Sequence, residues 1–75
     1  MKTAKMTRAH FEHIAATLRG LRYEPAVELE TLEMVIREFA RTLPATNAGF
    51  KRERFLEAAG YGETKVEAIA RELAA

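Results

Sequence analysis

Apolar residues recur at helical spacing in four stretches of the chain. In the first stretch, about 7–19, they follow the i, i+3, i+4, i+7 rule and predict one buried stripe: Phe11, Ile14, Ala15 and Leu18. In the second, about 25–43, they form an unbroken seam spaced by threes and fours: Leu29, Leu32, Ile36, Phe39 and Leu43. We expect the whole seam to be buried. Two shorter helices are predicted at about 52–59 and 64–74.

Glycine and proline mark the ends of these stretches. Gly20 lies where helix one is expected to stop, and Pro25 suits the first position of helix two, where the missing N–H would have no partner. These signals agree with one another and predict an all-α, four-helix domain. We expect residues 1–6 to be a flexible N-terminus and 7–75 to form the single domain.

The third helix carries signals at both of its ends. Phe50 and Phe55 fall at the two positions of a hydrophobic staple around an N-cap at Lys51. At the other end Gly60 suits the left-handed position after the helix. Tyr61 would then contact Leu56, which is the apolar pair of a Schellman stop.

The composition narrows the classes of protein that fit. A chain of 75 residues without cysteine forms one small core with neither a disulfide nor a thiolate metal site. The formal net charge is +1, so any basic surface must be local. No apolar run is long enough to span a membrane. No signal-peptide core follows the first basic residues, which predicts a cytoplasmic protein.

Two histidines are the only residues of helix one that suggest a metal-binding or catalytic site. His10 and His13 are three residues apart, so both imidazoles lie on one side of the helix. A zinc site needs three or four ligands, and no spacing indicates the others. No nucleophile or phosphate-binding loop stands out. We therefore expect that the protein is not an enzyme and that it binds neither a metal ion nor a cofactor.

A basic cluster opens the third helix. Lys51, Arg52 and Arg54 place positive charge in a first turn, where it opposes the helix dipole. Because this arrangement lowers the stability of the helix, we interpret the cluster as a candidate contact surface for a partner. An acidic protein face is favoured, and a nucleic-acid backbone is the alternative.

Helices three and four also invite comparison with a DNA-binding helix-turn-helix. Gly60 occupies the place of its turn glycine. However, Leu56 stands where that motif usually has a small residue. The would-be recognition helix also carries three acidic residues, Glu63, Glu67 and Glu72, against two basic ones, Lys65 and Arg71, so it would repel phosphates. Packing of a helical corner is the favoured interpretation.

Helix two is apolar on a second side. Val27 and Met34 are one heptad apart and point away from the seam, with Val35 on the flank between. A helix that is apolar on two sides is either central to its fold or pressed against another molecule. We favour self-association of two chains through Val27, Met34 and Val35.

Two segments resemble a group of short, uncharacterised proteins from bacteriophages and other mobile elements. The first runs from His10 to Ala15 and the second from Asn47 to Gly60, matching roughly H-[FY]-x-x-I-A and F-x-R-x-R-F-x-x-A-x-G. The chain departs at three positions, Ala48, Lys51 and Ala59, where the group favours Pro, Asp or Asn, and Cys.

The resemblance implies an accessory protein of a phage or mobile element that binds and modulates a host or phage protein. Together with the residues, it predicts a non-enzymatic protein-interaction module. A small helix-turn-helix-like DNA-binding regulator is the alternative function.

Overall fold

Four α-helices make up the fold, and the computed structural model describes residues 5–74. In chain order they are α1 (Arg8–Leu21), α2 (Leu29–Thr42), α3 (Arg52–Ala58) and α4 (Glu63–Ala74), with a 3-10 turn at Leu43–Ala45. Residues 5–74 contain no strand. The predicted all-α, four-helix class is confirmed.

The shortest helix, α3, lies at the centre of the fold and contacts each of the other three. Phe55 and Leu56 are both buried in it, and Ala59 at its C-cap is fully buried. Neighbouring helical residues point about 100° apart, so a buried adjacent pair covers two sides of the helix. α3 is therefore the helix that is packed from several sides. For helix two the sequence left central packing and contact with another molecule open, and favoured the second.

The predicted staple at the start of α3 is formed. Lys51 is the N-cap, and the Phe50 and Phe55 ring centroids lie 5.6 Å apart. The Phe50 ring also meets Phe11 of α1 edge-on at 4.7 Å. Edge-to-face pairs at such distances are favourable for aromatic rings. The staple therefore joins α3 to α1 as well as fixing the direction of the chain.

The predicted Schellman stop at the end of α3 is also formed. The Tyr61 N–H donates to the Leu56 carbonyl at 3.2 Å, and the Gly60 N–H donates to the Glu57 carbonyl at 3.0 Å. Gly60 has φ 109°, a backbone conformation that side chains with a Cβ rarely adopt. These bonds satisfy carbonyls that the helix end would otherwise leave unpaired.

Helix two begins four residues later than predicted. The Val27 N–H donates to the Glu24 carbonyl at 3.0 Å, which closes a turn with Pro25 in its second position. Proline favours that position because its ring presets φ. Glu28 is the N-cap, with an extended backbone. Pro25 thus belongs to a turn before α2 and is not its first residue.

In the predicted seam, Leu32, Ile36 and Leu43 are buried, Phe39 is half-buried and Leu29 is exposed. Leu32 is 3% exposed, whereas Leu29 is 53% exposed. Because α2 starts at Leu29, this side chain lies in the first helical turn at the edge of the fold. The prediction that Leu29 is buried was wrong, and a large apolar side chain is left on the surface.

The predicted flexible N-terminus, 1–6, falls partly outside the described residues, which exclude 1–4 and 75. Within the described part, Met6 is half-buried against the core. Its carbonyl accepts a 2.9 Å hydrogen bond from Asn47 Nδ2. None of the helices between residues 5 and 74 combines the length and apolar character needed to cross a membrane.

Candidate binding groove

A groove of about 270 Å³ lies between α1 and α3. We call it the α1–α3 groove. Its apolar lining comes from two residues of each helix, spaced four apart on α1 and three apart on α3: Phe11 and Ala15, Phe55 and Ala58. Such spacing keeps side chains on one helical face. The two helices therefore turn apolar stripes toward each other without closing the gap.

The rim of the α1–α3 groove is mostly basic. Arg8 of α1 faces Lys51 and Arg54 from the α3 side, and Glu12 is the one acidic lining residue. Arg8 Nε donates to Glu12 Oε1 at 2.9 Å, so that carboxylate is already paired. Within residues 5–74, Lys51 and Arg54 make no ion pair. The net rim charge favours an acidic ligand.

Asn47 builds the loop that closes one end of the groove. Its Nδ2 donates to the Met6 carbonyl, and its Oδ1 accepts from the Gly49 N–H at 2.8 Å. The Phe50 N–H donates to the Asn47 carbonyl at 3.0 Å. Asparagine stabilises turns through such bonds to its own backbone. The anchor of this loop, Met6, lies 41 residues before Asn47 in the chain, so no local sequence signal predicts the contact.

Arg52 does not join Lys51 and Arg54 at the groove. Its Nε donates to the Ala40 carbonyl at 3.0 Å, and the side chain is half-buried. Ala40 lies in the last turn of α2, where carbonyls lack partners within the helix. Arg52 therefore holds the end of α2 against the start of α3. The structure divides the predicted partner-binding set into two groove residues and one residue that joins two helices.

The three residues predicted for self-association do not share one surface. Val27 precedes α2 and packs against the core. Met34 is 69% exposed and Val35 is 39% exposed, on directions about 100° apart around α2. The single apolar side expected from a helix that began at residue 25 is therefore not formed. Self-association itself stays a prediction.

The two histidines of α1 line the same open surface, and His10 also makes a hydrogen bond at the start of the helix. His10 Nδ1 accepts a 2.9 Å hydrogen bond from the Thr7 N–H and so helps to start the helix. His13 lies beside Met6 and Ile14 on an open surface. Between residues 5 and 74, no three metal-ligating side chains come close enough to hold an ion together.

The surface of α4 exposes three acidic residues and two basic ones, Lys65 and Arg71. Val66 and Ile69 are buried, and the exposed positions include Glu63, Glu67 and Glu72. Glu72 pairs with Arg37 of α2. If α4 were a recognition helix, these carboxylates would face phosphates, which is unfavourable.

An acidic segment, 23–36, exposes apolar side chains. It contains four glutamates and no basic residue. It also holds all of the exposed large apolar side chains found between residues 5 and 74, namely Tyr23, Leu29, Met34 and Val35. The sequence signal for this surface is the interval 23–36, which contains neither Lys nor Arg.

No protein-family model matches the chain, and no curated protein or solved structure is similar to it.

Proposed function

We propose that the chain is a non-enzymatic protein-interaction module that binds its partner in the α1–α3 groove. The observation that carries the proposal is an apolar-lined groove whose rim presents Lys51 and Arg54 without ion-pair partners among residues 5–74. The partner segment is acidic and inserts one apolar side chain.

The size of the groove supports a side chain as its occupant. At about 270 Å³ it lies just under the range of about 300–1,000 Å³ that is common for small-molecule pockets. An apolar anchor buried in such a site contributes most of the binding energy, while charges at the rim mainly set specificity and association rate. The apolar lining and the basic rim match these two roles.

The resemblance to phage and mobile-element proteins supports a cytoplasmic host or phage protein as the partner. Both matched segments contribute pattern residues to the groove, namely Phe11 and Ala15 from the first and Arg54, Phe55 and Ala58 from the second, whereas Lys51 departs from the pattern. A shared sequence pattern that lines a groove is consistent with a shared mode of binding.

The test is affinity capture from host lysate with mass spectrometry, using wild type and two charge reversals. Arg54→Glu changes the rim, and Lys65→Glu changes an exposed residue of α4 by the same charge. We expect a protein that is retained by wild type and Lys65→Glu and lost with Arg54→Glu. A protein retained equally by all three would count against the groove.

The alternative function is a small DNA-binding regulator built on α3 and α4. The observation that favours it is the tight turn at Gly60, which joins two helices as a helix-turn-helix does. The excess of acidic over basic side chains on α4 opposes it. The alternative predicts retention on duplex DNA at low salt that weakens with Arg52→Ala and Arg54→Ala. Absence of retention at low salt would remove it.

A further inference from the structure

The acidic segment, 23–36, and the α1–α3 groove are complementary surfaces of the same chain. We propose that the groove receives the acidic segment of a second copy, with Leu29 as the inserted side chain. The inference rests on the groove being the binding site of the proposed function, and it names a second copy of this chain as one occupant.

Charge is the first argument. The segment carries four carboxylates and no basic residue, while the groove rim presents Arg8, Lys51 and Arg54 against one glutamate. Complementary surfaces steer two molecules together, and salt screens that attraction beyond about 8 Å at physiological ionic strength. Association should therefore be strongest at low salt.

Apolar exposure is the second argument. Leu29 is half exposed at the edge of the fold, with Glu28 and Glu30 on either side of it in the chain. An apolar side chain between two carboxylates is the ligand that an apolar groove with a basic rim would select. Burial of Leu29 in a partner removes apolar surface from water, which the isolated chain cannot do.

Direct pairing of two α2 helices fits the charges less well. A two-fold axis beside Met34 would bring Glu30 of each copy against Glu38 of the other. Like charges held together across an interface oppose association. Arg41 pairs with Glu38 in its own chain and offsets part of this repulsion, but Glu30 makes no ion pair among residues 5–74. The groove offers the acidic segment cations instead.

Self-docking would also regulate the groove. A groove filled by the second copy is closed to a partner protein, so the two compete for one site. Partner binding would then separate the two copies. The self-associated form would be inactive toward the partner because its groove is occupied.

The first experiment measures self-association of the full chain by sedimentation equilibrium from micromolar to millimolar concentration, at low and raised salt. We expect a weight-average mass that rises with concentration and falls with salt. Leu29→Asp should weaken association at least tenfold and by more than Met34→Asp does, because Leu29 is the side chain inserted into the groove. A wild type that stays monomeric throughout, or loss with Met34→Asp alone, would overturn the inference.

The second experiment exchanges charges between the two surfaces. The double variant E28K/E30K and the double variant K51E/R54E should each be monomeric, because each sets like charges against each other. Mixed in equal amounts, they should associate again, since the basic segment of the first matches the acidic groove of the second. Circular dichroism checks that both are folded. A mixture of folded variants that stays monomeric contradicts the docking.

The experiments distinguish failure of docking by a second copy from failure of partner binding in the groove. A monomeric wild type that still loses its captured protein with Arg54→Glu keeps the groove as a partner site and removes the second copy. Self-association through Leu29 without any Arg54-dependent capture keeps the second copy and removes the host or phage partner.

Discussion

Arg22 Nε donates a 2.9 Å hydrogen bond to the carbonyl oxygen of Ala59, 37 residues away in the chain. The same guanidinium lies 4.6 Å from the centre of the Tyr61 ring. A cation over an aromatic face and a charged donor to a backbone carbonyl are both stabilising. The contact ties the connector after α1 to the turn between α3 and α4.

Gly60 is required where Arg22 crosses the turn. A Cβ at this position would lie 2.6 Å from Arg22 Nε, and the φ of 109° is strained for any other residue. We expect Gly60→Ala to lower the free energy of unfolding by about 1–3 kcal/mol in urea denaturation. Gly62→Ala is the matched control because its Cβ meets open space. Equal effects of the two substitutions would contradict this account.

Leu32 and Leu29 belong to the same sequence seam and should respond differently to truncation. Leu32→Ala removes a buried side chain and should cost about 2–5 kcal/mol of unfolding free energy. Leu29→Ala removes an exposed one and should cost less than about 1 kcal/mol. A small domain has only about 3–5 kcal/mol in total, so Leu32→Ala should be largely unfolded by circular dichroism. A folded Leu32→Ala with native stability would be inconsistent with the packing.

The helices were predictable because their signals are local. The Phe50–Phe55 staple and the Gly60 stop depend only on neighbours in sequence, and both are formed. The start of α2 was missed because proline fits two positions, the first residue of a helix and the second of a turn. Leu29 was then assigned to the core from its periodicity alone, which does not report where covering helices end.

The groove itself was not predictable from one stretch of sequence. Lys51 and Arg54 were identified as a contact surface, but their separation from Arg52 depends on how α3 packs against α2. Of the floor residues, Phe11 was predicted in a buried stripe and Phe55 in the staple, and both are buried. Only the spacing between α1 and α3 shows that part of this core borders an open groove.

Gly20 offers a stabilising substitution. It was expected to end helix one, but α1 continues through it to Leu21, and its Cβ position is open. Glycine inside a helix is less favourable than alanine by about 0.5–1 kcal/mol. Gly20→Ala should therefore raise the free energy of unfolding by about that amount and raise the midpoint of thermal unfolding. A lower midpoint would mean that residue 20 requires a conformation specific to glycine.

Stability should fall in alkaline solution because of Tyr61. Burial raises the pKa of its phenol, the Glu33 carboxylate raises the pKa further, and the Arg22 guanidinium opposes both. A group whose pKa is higher in the folded state contributes stability below its unfolded pKa and loses it as the pH rises through the folded value. The contribution is therefore present below about pH 10 and is lost above it. Denaturation at stepped pH should show a steeper alkaline loss for wild type than for Tyr61→Phe, and identical slopes would argue against it.

Arg52 and Arg54 are two residues apart and should have different effects when removed. Arg52→Ala breaks the hydrogen bond to the Ala40 carbonyl and should lower the free energy of unfolding by about 1 kcal/mol. Arg54→Ala removes a side chain at the groove rim and should change stability by less than about 0.5 kcal/mol. Urea denaturation of both variants measures the changes in stability. Capture of the groove-dependent partner measures the contribution of each arginine to binding. Because Arg52 faces α2, its loss should reduce capture only as far as it unfolds the chain, whereas Arg54→Ala should reduce capture in a fully folded protein. Equal stability losses, or a capture defect in folded Arg52→Ala as large as that of Arg54→Ala, would mean that the two arginines share one role.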